Sequence, residues 1–411
     1  MKKKLLALLL AGAMALSLAA CGGNGGNGGN GDNQTPQTSA PTNAPDNQEP
    51  ADNQEPAGGG LTAESIKIGF VNIGDESDMG YTYNIVQGAK GMMSALGVPE
   101  ANVITKANCP EDSTCETYLR ELAEEGCNII FATSFGFEDY VIRVASDYPD
   151  IQFCHLTGVQ AADSGLSNVH NAFANIYEAR YLAGIAAGLK TQTNKLGYVS
   201  AFNYAEPVSG YTAFYLGAKS VNPDVTMEVK YANSWNDPTV EARLAQALID
   251  NGCDVISQHS DSTAPATTAE SNGVWSVGYN SDQIKAAPNA SLISSRIDWS
   301  VYMTYAVQCM LDGTPIDVDW TAGLAEGAVE ITALNDAIAA GGTQEAIDEA
   351  MAKLISGELH VFEGPLNGYN AFDESKTVSE LVPAGEFYDE SSLELGSAPS
   401  WDNIIEGITE S

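Results

Sequence analysis

At several places along the chain an aromatic residue stands beside a short polar or acidic one. These places are Asp78-Met79-Gly80-Tyr81-Thr82-Tyr83, Thr133-Ser134-Phe135-Gly136-Phe137-Glu138-Asp139, Phe202-Asn203-Tyr204, Asn233-Ser234-Trp235-Asn236-Asp237-Pro238, His259-Ser260-Asp261-Ser262 and Tyr279-Asn280-Ser281-Asp282. Aromatic faces can sandwich a flat, heteroatom-rich ring while carboxylates, amides and hydroxyls read its edge. The acids could also supply a general base. Yet the chain has no Gly-x-Ser-x-Gly elbow, no phosphate loop and no histidine cluster at metal-ligand spacing. The reading is therefore capture without catalysis, using no cofactor and no metal; a hydrolase is the competing reading.

Some of these residues have plainer roles open to them. Asp237 before Pro238 suits a helix N-cap, and Asp78 before Gly80 suits a turn acid that braces its loop. His259 reads as a satisfied loop residue. Phe135, Phe137 and Phe202 could be core aromatics.

The motifs fall in the loops after short β-branched runs. Strands are expected at 66–71, 102–105, 128–132 and 152–156, with helices at 83–96, 113–125 and 138–146 between them. After a helix at 177–189 the series restarts. Strands at 196–200, 226–231, 255–257, 275–278 and 291–294 alternate with a helix ending near Ser220 and another at 238–251. Such alternation means parallel βαβ units in an α/β fold. Two series of similar size predict two Rossmann-like lobes, with the ligand beyond the carboxyl ends of the strands, in the cleft between lobes.

Residues 61–411 are long enough for two domains of ordinary size. The formal net charge of −36 argues against nucleic-acid binding, which needs a basic surface to release counterions. It favours a self-repelling monomer. Lys2, Lys3 and Lys4 precede an apolar run too short to span a bilayer comfortably, so residues 1–20 read as a signal peptide. Leu18-Ala19-Ala20-Cys21 resembles a bacterial lipobox, which implies lipidation of Cys21 and attachment to the extracytoplasmic face of the cell membrane. Residues 22–60 hold no aliphatic side chain larger than alanine and no aromatic until the folded region begins, so 21–60 read as an anchored, disordered tether. Residues 391–411 read as a C-terminal tail. Cys127, Cys154, Cys253 and Cys309 lie in apolar runs and read as buried hydrophobes. Cys109 and Cys115 flank a polar loop, where a local disulfide is one of two open readings.

The loop motifs carry a resemblance. Asp78-Met79-Gly80-Tyr81-Thr82-Tyr83 resembles an Asp-Pro-Gly-Trp-Thr-Tyr pattern of the basic membrane protein family of solute-binding lipoproteins, which includes purine nucleoside receptors. Phe131-Ala132-Thr133-Ser134-Phe135-Gly136, Ala179-Arg180-Tyr181-Leu182-Ala183-Gly184, Asn233-Ser234-Trp235-Asn236-Asp237-Pro238 and Glu363-Gly364-Pro365-Leu366 resemble further family motifs, in the family's order. The likeness covers about residues 66–372. It implies a type I periplasmic-binding-protein fold, with three crossings between lobes and a hinge that closes on the ligand. Lobe one would take 61–178 and a return near 297–323; lobe two would take 179–296 and part of 324–390.

By the same resemblance, Tyr81 and Trp235 stack on the ligand from opposite lobes. Thr82, Ser134, Phe135 and Asp139 complete the first wall; Phe202, Asp261 and Asn280 line the second. The implied partners are a purine base or nucleoside and the permease and ATPase of an ABC importer. Nucleoside-binding members carry an aspartate where Asn280 stands and a lysine close to Ile297. Both are expected to hold ribose hydroxyls, and a neutral amide holds a hydroxyl less strongly than a carboxylate. These departures favour a free purine base. A purine nucleosidase, or a surface sensor not coupled to import, are the alternatives.

Overall fold

The computed structural model describes residues 60–411. The signal peptide expected at 1–20, the lipidated Cys21 and all but the last residue of the tether lie outside the described residues. Among the described residues, no helix is long and apolar enough to cross a membrane.

The first sheet is built from β1 (Ile68–Asn72), β2 (Val103–Lys106), β3 (Ile129–Thr133), β4 (Gln152–His155) and β5 (Val169–Ala174). In β1, β3 and β5 every residue is buried, as strands covered on both faces require. Between the strands run α1 (Tyr81–Leu96), α2 (Ser113–Glu124) and α3 (Glu138–Asp147). Aspartates start two of these helices. Asp112 accepts from Thr114 N–H at the head of α2, while Asp78 accepts from the N–H groups of Gly80, Thr82 and Tyr83 at the head of α1.

After β5 the chain enters α4 (Ile176–Lys190) and the second series. It comprises β6 (Lys195–Ser200), α5 (Ala205–Val221), β7 (Thr226–Tyr231), α6 (Pro238–Asp250), β8 (Val255–Gln258), α7 (Ala264–Ser271), β9 (Trp275–Tyr279) and β10 (Ser291–Ile297). It then returns through α8 (Trp299–Asp312) and β11 (Asp319–Ala322) to the first sheet, and crosses back at β12 (Val329–Ile331). The first sheet has the order β11-β5-β4-β3-β1-β2 and is parallel throughout. In the second, β12-β10-β9-β8-β6-β7 continues into a seventh strand near the C-terminus, and only β12 is antiparallel. Helices cover both faces of each sheet. Apolar side chains of α1 and α8 fill one side of the first sheet, and those of α2 and α3 fill the other. Helices α4 and α5 cover one side of the second sheet, and α6 and α7 the other. This is an α/β protein of two Rossmann-like lobes.

In the second lobe α4 and α5 approach closely because glycines face each other. A Cβ on Gly217 would lie 1.9 Å from Tyr181 O, and one on Gly184 would lie 2.0 Å from Phe214 O. Gly184 closes one of the motifs noted in the sequence, and this helix contact is what it serves.

Several elements were not specified by sequence patterning. β5 reads Val-His-Asn-Ala-Phe-Ala, whose polar pair breaks an apolar run. His170 Nδ1 meets Asp317 O at 3.0 Å, and Asn171 donates to Asp319 and Ser397. α7, α8, β11 and β12 were likewise not specified, nor was α9 (Thr343–Ser356).

The C-terminal reading needs correction. After α9 come β13 (Phe362–Glu363), β14 (Leu366–Asn370), β15 (Ser379–Val382), β16 (Phe387–Tyr388), β17 (Asn403–Ile405) and β18 (Ile408–Glu410). β17 pairs with β14, and β18 is the seventh strand of the second sheet, parallel to β7. Trp401, Ile404, Ile405 and Ile408 are buried in the second lobe's core. Residues 391–411 are thus structural and not a loose tail, because their apolar side chains close an otherwise open sheet edge.

All six cysteines of the described residues are buried free thiols. The Cys109–Cys115 disulfide is not formed. Cys109 instead donates weakly to Pro110 O at 3.5 Å.

Candidate ligand-binding site

The space between the sheets is walled by strand ends and by the first turns of the helices that follow. The first lobe contributes Ile73, Tyr81, Ser134, Phe135 and Thr157; the second contributes Glu206, Trp235, His259, Asp261 and Tyr279. They bound a cavity whose empty space, its open mouth included, is about 380 Å³. A more open space of about 900 Å³ shares Ile73, Trp235 and Asp261, and adds Asp78, Thr82, Glu111 and Phe202 among others.

The aromatic groups are held before any ligand arrives. Tyr81 donates its hydroxyl to Leu156 O at 3.1 Å and meets Trp299 of α8 edge-on, with centroids 6.3 Å apart. Trp235 meets Phe202 edge-on at 4.8 Å, and Phe202 stacks on Tyr204 at 5.1 Å. Tyr279 lies under the Arg180 guanidinium, 3.7 Å from ring centre to Cζ. Side chains fixed this way lose little entropy on binding.

The lobes touch across the cleft. Tyr81 N–H donates to Asp261 Oδ1 at 3.2 Å, and Ser281 Oγ donates to Met79 O. Asn84 Nδ2 donates to Ile297 O at 2.5 Å. Phe135 and Tyr204, both exposed, meet from opposite lobes at 5.5 Å. Gly80 runs so close to the second lobe that a Cβ there would lie 2.3 Å from Asp261 O. The arrangement is closed.

Three residues set the polarity of the second wall. Buried Arg180 donates through Nη1 to Gln258 O at 2.6 Å, and its Nη2 faces His259 Nδ1 at 3.2 Å. A guanidinium only donates, so Nδ1 is the acceptor and the imidazole proton sits on Nε2. That nitrogen points at Glu206 Oε1, 3.3 Å away. Burial lowers the His259 pKa, which favours the neutral ring. Glu206 lies in the first turn of α5, where the helix dipole favours an anion.

Asp261 has the opposite problem. Burial, with Asp78, Glu241 and Glu206 nearby, holds its carboxyl well above the usual carboxylate range. Asp78 is also raised, because burial outweighs its three backbone N–H bonds. Burial likewise raises Glu241. The cleft is therefore crowded with acids and short of cations.

Of the residues anticipated from sequence, Tyr81, Ser134, Phe135, Trp235 and Asp261 line the cavity, while Thr82 and Phe202 line the adjoining space. Asp139 is brought to neither. It is exposed on α3, where its nearest polar partner is Gln160 at 3.4 Å. Its neighbour Glu138 turns inward instead and accepts from the N–H groups of Val159 and Gln160. Asn280 also lines neither space. It is buried with φ at 62°, and its Oδ1 lies 3.5 Å from Asn84 Nδ2. Phe137 is core. Asp237 caps α6 and Asp78 braces α1, the plainer reading in both cases.

Glu206, His259, Tyr279, Thr157 and Ile73 were not assigned to the ligand from sequence. Glu206 and Thr157 were reachable, since one lies a turn beyond the loop after β6 and the other just past β4. Within motifs already noted, His259 reads from sequence as a satisfied loop residue and Tyr279 has no assigned role. Only the fold shows them facing the cavity.

Residues 65–361 match the family described as ABC transporter substrate-binding protein, PnrA-like. A purine-binding protein of Brucella abortus is 36% identical over 330 residues, covering 80% of this chain and 90% of its own. A Haloferax volcanii protein, provisionally named an ABC transporter glucose-binding protein, is 34% identical and covers 75% of this chain and 76% of its own. A solved solute-binding protein of an ABC transporter system from Conexibacter woesei superposes with a TM-score of 0.60 at 20% identity, over 72% of this chain and 98% of that one. That last likeness bears on the fold alone.

Proposed function

The chain belongs to the PnrA-like family of ABC transporter substrate-binding proteins, and on that premise we propose that it captures a purine base, or less readily a purine nucleoside, between its lobes. The observation that carries the reading is the cavity itself. Tyr81 and Phe135 face it from one lobe, Trp235 and Tyr279 from the other, and Glu206 and Asp261 stand at its edge. Flat aromatic walls with a few convergent polar groups suit a planar nitrogen heterocycle. The name of the Brucella relative points the same way. A base is favoured over a nucleoside because Asn280, where the family resemblance implies a ribose-holding acid, is a neutral amide and lines neither space.

The delivery apparatus follows from the family: a permease and an ATPase. The lipobox-like sequence ending at Cys21 supports attachment to the outer face of the cell membrane, with 22–60 as the tether. Mass spectrometry of the membrane-extracted protein is expected to find a lipidated cysteine at the mature N-terminus. An unmodified secreted form would refute the anchor.

The Haloferax relative supports a sugar as the second reading, since sugars also stack on aromatic rings. Titration calorimetry of the full chain against adenine, guanine, hypoxanthine, their nucleosides, pyrimidines and glucose separates the two. Purines are expected to bind, and glucose as the sole binder would overturn the proposal. Incubation with inosine is expected to release no hypoxanthine, and turnover would favour a hydrolase instead.

A further inference from the structure

The cavity has an excess of hydrogen-bond acceptors. Tyr81 gives its hydroxyl proton to Leu156 O, and Ser134 gives its own to Glu111 Oε1 at 2.6 Å. Each therefore offers the ligand only lone pairs. His259 has its Nδ1 and its Nε2 proton both engaged. The Trp235 indole N–H is the one obligate side-chain donor lining the cavity without a partner among the described residues. Glu206 lines the cavity and is held by His259 at a single point, with no other donor bonded to its carboxyl among the described residues. A carboxylate so placed accepts best from two adjacent N–H groups, which it can take side by side.

Resting on the purine reading above, we propose that Glu206 selects a purine base of the guanine type, accepting its N1–H and its 2-amino group together. The other bases fail at one or both of these positions. Hypoxanthine and xanthine keep N1–H but present a C–H and a carbonyl oxygen at position 2; adenine presents a C–H there and a lone pair at N1. The xanthine oxygen and the adenine lone pair set negative charge against the carboxylate. An Asp261 carboxyl that keeps its proton through burial can donate to the base's O6 or N7. Arg180, which does not line the cavity, is a positioning residue that acts on Glu206 through His259.

The test is competition binding on the full chain, followed by tryptophan fluorescence, with guanine, hypoxanthine, xanthine and adenine as probes. Guanine is expected to bind about ten- to a hundredfold more tightly than hypoxanthine, the loss of one hydrogen bond to a charged group. Xanthine is expected to be weaker still. In Glu206→Gln the guanine affinity should fall by about tenfold or more, and the guanine-to-xanthine ratio should narrow, because an amide can donate to the xanthine carbonyl. If that variant fails to fold, Glu206→Asp is expected to lower the guanine affinity by about tenfold, since withdrawing the carboxylate by one methylene loosens the paired contact, and an unchanged guanine affinity there overturns the inference. Any other base equalling guanine on the parent protein, or a ratio unchanged in the variant, overturns the inference and leaves the purine reading standing. Binding of no purine at all overturns both.

Discussion

The two aromatic residues that face the cavity from opposite lobes, Tyr81 and Trp235, differ in how much they owe to their surroundings. Tyr81 is anchored at both ends, by Leu156 O at the hydroxyl and by Trp299 behind the ring. Trp235 is held by ring contacts, with Phe202 at 4.8 Å, Tyr204 at 6.3 Å and His259 at 6.5 Å. Replacing either by alanine is expected to weaken base binding by about 1–3 kcal/mol, as for lost base–aromatic stacks elsewhere. Calorimetry of both variants against one purine checks this, and parental affinity in both would remove the sandwich. Aromatic residues beside polar turns recur along the chain, and it was the family motifs holding Tyr81 and Trp235 that singled these two out. Glu206 was reachable only by its place just past Phe202-Asn203-Tyr204, where nothing local marks it among so many acids.

At the scale of elements, the start of α1 does most to join the lobes. Asp78 draws three N–H groups onto one carboxylate and so fixes the first turn. The turn then offers Tyr81 N–H to Asp261 and lays Gly80 against the Asp261 backbone. Gly80→Ala is expected to hold the lobes apart, because the new methyl would overlap a backbone oxygen that cannot give way. The variant should bind purines at least about tenfold more weakly, the factor that corresponds to roughly 1.4 kcal/mol. Its ligand-free unfolding midpoint should stay near that of the parent, since each lobe keeps its own core. Small-angle scattering with saturating ligand should show a larger radius of gyration than the parent; an unchanged radius and affinity would mean that this contact does not govern closure. The sequence motif marked this turn as important, but only the second lobe's position shows why a glycine is required.

For the whole molecule, acidity has a cost that depends on pH. Burial raises Glu390 from the ordinary 4.5 to about 7, with the hydrogen bond from Trp401 N–H only partly opposing it, and burial raises Glu178 to about 7 as well. Groups raised in the folded state bind protons more tightly there than in the unfolded chain. Their contribution is therefore whole below about 4.5 and is lost as pH climbs through 7. For Glu390, full ionisation costs on the order of 3 kcal/mol. Glu228 works in the other direction: Lys195, Ser411, Asn251 and Lys230 overcome its burial and lower it to about 2, so its support fades only below 4.5. Thermal unfolding is expected to be highest near pH 5 and to fall by pH 8, with Glu390→Gln flattening that fall. A midpoint that rises from pH 5 to 8 would contradict the assignment. By itself the sequence determined the α/β class, the strand-end placement of the site and several of its aromatic residues, because strand–helix periodicity and turn chemistry are local. It did not determine that residues 391–411 complete a sheet, that Asp139 faces away, or that Arg180, His259 and Glu206 form one chain of contacts. Those were decided by tertiary structure, which alone brings residues far apart in sequence within hydrogen-bonding distance and takes acids out of water.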